Sequence, residues 1–495
     1  MIVNTFRILI ILMAIIAVSC NKTSTTTSTT DTSNSGTTTT TTTTTYNELF
    51  VPPAITGTNF NLTLDKATKQ FKTGAVTATY GYNGNSFWGP TLIMNQGDDV
   101  KINVKNNLSD QTTVHWHGFH IPAVMDGGPH QIIDAGSTWS PNFKIKNNAG
   151  TYWYHPHLHL KTNEQLTKGA GGFIIVKDPV ESALALPRTY GTDDIPLVLT
   201  SRRFNADNSF DFTTGEYGDY LLANGTLDAQ ITLPKQFVRL RILNAEIERG
   251  YDLGLSDNRT FYIIGNDGGL LNAPISTTRV KIMPGERVEI LLNLSNDAVA
   301  SSIDLKAYNK GQKFGFPGAE DDSSGENGSL LNNKDFNLLH IKVGASTTSA
   351  ITALPSKLAS NTYWTNADVT NSRTINITGG QAGAAFTFDN NTYGFTTINQ
   401  IIKLDAIEKW TIVNNNIFGH SFHVHDVQFK IIARSSGVVG DHESGWKDTV
   451  YVPLGETVTV IAKFDDFSDA INPYMYHCHF SNHEDGGMMG QFLVK

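Results

Sequence analysis

The chain reads as an all-β protein made of consecutive β-sandwiches. Alternating apolar and polar stretches recur from Tyr46 onward, among them Asp99–Val104, Phe237–Leu243, Arg287–Leu294, Lys409–Val413 and Thr457–Phe464. Gly, Asn, Asp and Pro bound them, as they bound strands. No long segment carries convincing helical periodicity. A glycine turn leading into a strand appears at Gln96-Gly97-Asp98, Pro284-Gly285-Glu286 and Leu454-Gly455-Glu456. That recurrence hints at three related sandwiches of roughly 130–160 residues each.

The N-terminus comes first. Residues 1–19 read as a signal peptide, with Arg7 as its one positive charge and an apolar run from Ile8 to Val18. That run is too short to span a bilayer comfortably. Ala17-Val18-Ser19-Cys20 resembles a bacterial lipoprotein processing site, with cleavage before Cys20 and a lipid on its sulfur. Residues 20–45, nearly all Thr and Ser after the first few, have nothing apolar to bury and read as a disordered tether. The expectation is an exported lipoprotein, periplasmic or at the cell surface of a bacterium, held to the membrane through Cys20.

Three sections then follow, 46–182, 183–350 and 351–495, with loop-like boundaries at Asp178–Pro187 and Thr347–Asn361. Gly311 to Asn333 is polar and glycine-rich. Glu320, Asp321, Asp322 and Glu326 make it acidic, and it reads as a solvated surface loop rather than a cation or substrate gate.

The chain has 495 residues, 17% charged and 39% hydrophobic, a globular composition. A formal net charge of −9 and the lack of any basic stretch argue against a nucleic-acid partner. A monomer is expected. The only cysteines are Cys20 and Cys478. With Cys20 lipidated, Cys478 is a lone thiol in a compartment that permits disulfides, which suits a metal ligand better than a structural role.

Histidine carries the chemistry. Four His-x-His pairs occur among 15 histidines: His115/His117, His155/His157, His423/His425 and His477/His479. On a strand each pair aims two imidazoles at one face. Eight convergent imidazoles exceed the four ligands of one zinc and suit a multinuclear cluster between the first and third sections. In Tyr476–Met489, Cys478 points to the opposite face from His477 and His479. Cys478, His483 and Met488, joined by His420 from Gly-His-Ser-Phe-His-Val-His, make the His2Cys set with axial Met typical of a blue copper site. His120, His130, His159, His340 and His442 have no place in this set. His159 alone is near enough in sequence to border it.

Four segments, His115-Trp-His-Gly, Tyr154-His-Pro-His-Leu-His159, His420-Ser-Phe-His-Val-His425 and His477-Cys-His-x3-His-x4-Met488, resemble the multicopper oxidases, complete and in family order. Met125-Asp-Gly-Gly-Pro129 and Gly445-Trp-Lys-Asp-Thr449 are also similar. The resemblance spans Asn47 to Lys495 and is closest to bacterial three-domain members, the copper-efflux oxidase and the spore-coat laccase. It implies three cupredoxin-like Greek-key sandwiches and four coppers per chain. Type 1 copper would take His420, Cys478, His483 and Met488. Type 2 would take His115 and His423, and the type 3 pair His117, His155, His157, His425, His477 and His479. A reductant would give electrons singly to type 1 copper, and dioxygen would be reduced to water at the trinuclear cluster. Glu484 and Asp126 match acidic positions that the family uses near the cluster, suited to proton delivery.

The donor is less legible. The copper-efflux oxidases use a Met-rich insert and an Asp/Met pair before the type 1 histidine. This chain has 8 Met, and Asn416 and Phe418 stand at the matching positions. Soft sulfur for Cu(I) is missing there. A laccase-like oxidation of phenols or aromatic amines is therefore expected, with Cu(I), Fe(II) or Mn(II) oxidation as the alternative. A non-enzymatic scaffold of the same fold is the rival from another class, known for members that have lost ligands; every ligand is present here.

Overall fold

The structure is a computed structural model that describes residues 45–320 and 328–495. The signal peptide, Cys20, the tether up to residue 44, and Asp321, Asp322 and Glu326 of the acidic loop lie outside the described residues. No helix among the described residues is long and apolar enough to cross a membrane.

Asn47–Lys495 folds as one unit of three consecutive cupredoxin-like sandwiches, and six sheets account for nearly all of its regular structure. Alternation builds each of them. In Asn59–Lys69, Phe60, Leu62 and Leu64 face inward and the residues between them face out or half out. Burying these rows on two facing sheets removes apolar surface at about 25 cal/mol per Å2.

One topological unit recurs. A parallel pair, Asn59–Leu64 with Lys101–Asn106, reappears as Asp194–Leu199 with Arg239–Asn244 and as Asn371–Ile377 with Glu408–Asn414. The glycine turns follow this repeat only in part. Gly285 and Gly455 open Arg287–Asn293 and Thr457–Phe464, the antiparallel neighbours of Phe237–Asn244 and Ala406–Asn414. Gly97 instead opens Asp99–Asn106, a member of the parallel pair, and the first-section counterpart is Gly136, ahead of Thr138–Trp139. A tight turn before a strand needs glycine wherever it falls, so the motif marks turns and not register. Asn47–Glu48 also leaves the first section, pairing in parallel with Ala229–Gln230 in the middle one.

Two five-stranded sheets carry the histidines. In the first section the order is Ala54–Thr56, Thr91–Asn95, Gly172–Lys177, Gly150–His155, His115–His117. In the third it is Gln400–Ile402, Met489–Val494, Asp469–Cys478, His420–Val424, Thr449–Val452. Register sets His155 opposite His115, and His477 opposite His423.

Candidate metal centre

The end of the Asp469–Cys478 strand divides two groups of side chains, as the alternation of His477, Cys478 and His479 requires. Cys478 enters the apolar core of the third section with Phe422, Phe480 and Met488. The chain then turns through a short helix, Ser481–Asp485, which brings His483 back. Sγ of Cys478 lies 3.6 Å from Nδ1 of His483 and 3.6 Å from Nδ1 of His420. The Cys478 amide donates to the Met488 carbonyl at 3.1 Å, which sets Met488 beside it. Burial pushes the Cys478 thiol well above its usual range and holds His483 down at about 3. A neutral imidazole and a thiol that ionises only with a cation beside it form a metal-ready set.

His483 is 9% exposed, whereas His420 is fully enclosed. The Phe386 ring lies 4.4 Å from the His483 ring and 4.7 Å from that of His420. Phe418 packs on both, at 6.4 and 6.1 Å.

His477 and His479 turn to the other face and join six more imidazoles, all essentially buried. The first and third sections meet here by stacking, His115 on His425 at 3.8 Å and His117 on His423 at 3.9 Å. His157, His425 and His477 form one close group, in which Nε2 of His157 and Nε2 of His477 are 3.2 Å apart. A second N···N approach of 3.2 Å joins Nδ1 of His117 to Nε2 of His479, and the His155 ring is 5.3 Å from His479. Nε2 of His115, His155, His423 and His425 and Nδ1 of His479 are buried with no hydrogen-bond partner among the described residues. Burial holds His117, His155, His423, His425 and His479 well below the ordinary imidazole range, so they carry lone pairs rather than protons. Orphaned nitrogens cost stability unless a cation accepts them, and this donor set fits copper.

The outer nitrogens are tied down. Nδ1 of His115, His155, His423 and His477 each donates to a carbonyl, of Asp126, Pro156, Asp448 and Cys478, at 2.8–3.0 Å. Nδ1 of His425 meets Oδ2 of Asp126 at 2.7 Å. These contacts fix the tautomer and leave Nε2 for a metal. His117 is reversed: its Nε2 meets Oδ1 of Asp448 at 3.1 Å, which leaves Nδ1 inward.

The two carboxyls singled out in the sequence both reach the cluster. Oδ1 of Asp126 also lies 3.4 Å from Nδ1 of His115. Glu484 stands 3.0 Å from Nδ1 of His157 and 3.5 Å from Nδ1 of His477, and accepts from the Thr162 hydroxyl at 2.6 Å. Burial raises the Glu484 carboxyl above its usual range.

The remaining histidines stay out of the cluster. His120 pairs with Asp426, His340 with Asp304, and His130 with Gln491. His159 packs 4.9 Å from Tyr393 and feels the charge of Glu484. Sequence reasoning passed over Asp448, whose only signal was the Gly445-Trp-Lys-Asp-Thr449 segment, and Arg287, which stood out only as the first residue of a strand. It also passed over Glu248, whose Oε2 accepts from Asn482, the residue before His483, at 3.0 Å. Burial and the neighbouring Glu216 and Glu320 push Glu248 up to about 8, and Glu320 of the acidic loop is half-buried.

The multicopper oxidase family matches residues 63–181 and 366–495. The multicopper oxidase mco of Staphylococcus haemolyticus is 31% identical over 447 residues, covering 88% of each chain. The cell division protein FtsP of Escherichia coli is 30% identical over 457 residues, 90% of this chain and 92% of that one. Among solved structures, a laccase-like multicopper oxidase CueO from the lignin-degrading bacterium Ochrobactrum sp. superposes with a TM-score of 0.80 at 30% identity. It covers 90% of this chain and 100% of its own, and is described with oxidase activity towards lignin model compounds and lignosulfonate.

Proposed function

The chain belongs to the multicopper oxidase family, and on that premise we propose that it is a laccase-like oxidase of phenols or aromatic amines. Four coppers would be bound. His420, Cys478, His483 and Met488 would hold type 1. His115 and His423 would hold type 2. His117, His155 and His479 would hold one type 3 ion, and His157, His425 and His477 the other. The observation that carries this is the division of donors by one strand end, thiol to one side and eight imidazoles to the other. Copper supplies one-electron transfer at the Cys478 site and four-electron reduction of dioxygen to water at the cluster.

The chain's own groups do the rest. Cys478 and His477 are linked both covalently and through the His477 Nδ1 to Cys478 carbonyl bond, a short route between the two centres. Glu484 and Asp126 sit on the cluster imidazoles, where protons would pass toward oxygen. His483, the one type 1 imidazole with an exposed edge, takes the donor's electron, and Phe386 and Phe418 give an aromatic donor a surface to stack on. Asn416 adds no sulfur: its amide is committed to the Gly379 carbonyl at 2.9 Å.

A second reading, oxidation of a metal ion, has an observation of its own in the carboxyls of Glu216 and Glu248 beside Asn482, with Glu320 near Glu248. Oxygen uptake with phenols, aromatic amines, Cu(I), Fe(II) and Mn(II) on copper-loaded protein separates the two. Uptake with metal ions alone would overturn the laccase reading. The scaffold reading predicts a protein that binds no copper.

The protein is further proposed to be an exported monomer anchored through a lipid on Cys20. Cys20→Ala should move it from the membrane to the soluble fraction; a variant that stays membrane-bound refutes the anchor.

A further inference from the structure

The middle section supplies none of the eight imidazoles, yet its turn Pro284–Arg287 reaches the cluster at two points. Gly285 lies against His479, since a Cβ there would fall 2.7 Å from the ring, and its φ of +91° already favours glycine. Arg287 approaches from the other side through Asp448. The Arg287 side chain is fully buried and spends all five of its N–H donors. Nε donates to the Thr151 carbonyl at 3.1 Å. Nη1 donates to the Gly285 carbonyl and to Oδ1 of Asp448, both at 2.8 Å. Nη2 donates to the Asp267 carbonyl at 3.0 Å and to Oδ2 of Asp448 at 2.5 Å.

Thr151 belongs to the first section, Gly285 and Asp267 to the middle one, and Asp448 to the third. One guanidinium therefore fixes all three around a single carboxylate. Gly118, directly after His117, leaves room for this: a Cβ there would meet Oδ2 of Asp448 at 2.6 Å. The carboxylate in turn faces Nε2 of His117. A carboxylate bound to a guanidinium only accepts, so Nε2 carries the ring proton and Nδ1 keeps its lone pair. The Thr449 hydroxyl donates to the same Oδ1 at 2.9 Å, and its oxygen, 3.3 Å from Nε2 of His117, is a second acceptor for that ring proton.

We propose that the middle section builds one metal position of the cluster, with Arg287 and Asp448 acting as positioning residues that select Nδ1 of His117 and set it against Nε2 of His479. Nδ1 of His115, His155, His423, His425 and His477 meets a backbone carbonyl or Asp126, and Nδ1 of His157 meets Glu484; the carboxylate facing His117 is the one held by a side chain from the middle section. The inference rests on the copper assignment above and goes further, giving a section without ligands a part in cluster assembly.

The test uses the full chain loaded with copper, as wild type, Asp448→Asn and Arg287→Lys. Wild-type protein should show both the blue absorption of the Cys478 site and the near-ultraviolet band of an EPR-silent coupled pair. Its failure to do so would sink the copper assignment and this inference with it. In each variant the blue absorption should persist while the near-ultraviolet band is lost, EPR-visible copper rises, and copper is retained about 10–100-fold more weakly against a chelator. In metal-free protein labelled with 15N-histidine, Asp448→Asn should remove the Nε2–H preference of His117. Folded variants that keep the wild-type band, EPR signal and copper count would overturn the inference. Should Asp448→Asn not fold, Arg287→Lys decides by the same readouts.

Discussion

Sγ of Cys478 and Nδ1 of His483 stand 3.6 Å apart inside an apolar shell, although they are five positions apart in the chain. That distance is too long for a strong hydrogen bond between them and suits two donors sharing an ion. Cys478→Ser should therefore abolish the blue absorption and cut turnover by orders of magnitude, while the cluster on the other face keeps its copper. Visible absorption and copper content on the same sample check this. Wild-type turnover in that variant would show that electrons do not pass through Cys478.

Copper-stripped protein should lose stability in mild acid. His157, His477 and His483 are held at about 3 in the folded chain, against about 6.5 for a free imidazole. Burial is the leading cause in all three. Below about 6.5 the unfolded chain binds protons that the folded chain refuses, so stability is complete above that pH and declines down to about 3. Thermal unfolding of the metal-free protein between neutral pH and mild acid should show the midpoint falling steadily. A midpoint independent of pH would mean that these imidazoles accept protons without unfolding.

Glu484→Gln should slow oxygen consumption by about 10–100-fold with the blue colour unchanged. The substitution preserves the acceptor to Thr162 and removes the proton the carboxyl could deliver. Asp126→Asn should act in the same direction, through His425 and His115. The readout is the decay of reduced type 1 copper mixed with oxygen; rates equal to wild type would take both residues out of proton delivery.

How much of this was legible in the sequence follows from physical range. The gathering of eight imidazoles away from Cys478 was, because a strand presents His-x-His pairs to one face and the alternation fixes the face of Cys478. Asp126 and Glu484 were, because each lies in a segment that already held a ligand motif or resembled the family. Arg287 was not: its partner Asp448 is 161 positions away in another section, and no local pattern encodes that meeting. The glycine turns hinted at three related sandwiches but do not fall at equivalent strands, because a left-handed turn serves any strand start. Glu248 escaped because its role depends on Asn482 and Glu320 folding over it.

The identity of the donor is decided around His483, and two substitutions there pull in opposite directions. Phe386, 4.4 Å from the His483 imidazole, contributes stacking surface that an aromatic donor uses and a hydrated cation does not. Phe386→Ala should raise the KM for phenols and aromatic amines several-fold, worth about 1 kcal/mol of lost stacking, with little change for Fe(II). Glu248 is the converse. Burial and two neighbouring carboxyls push it up to about 8, so near neutral pH it is largely protonated, and a bound cation would strip that proton. Glu248→Gln keeps the shape and the Asn482 contact but withholds the charge, so oxidation of aromatic donors should be unaffected. If Glu248→Gln instead leaves metal-ion oxidation as the impaired activity while Phe386→Ala changes nothing, the electron enters from a cation held by the glutamates, and the laccase reading fails.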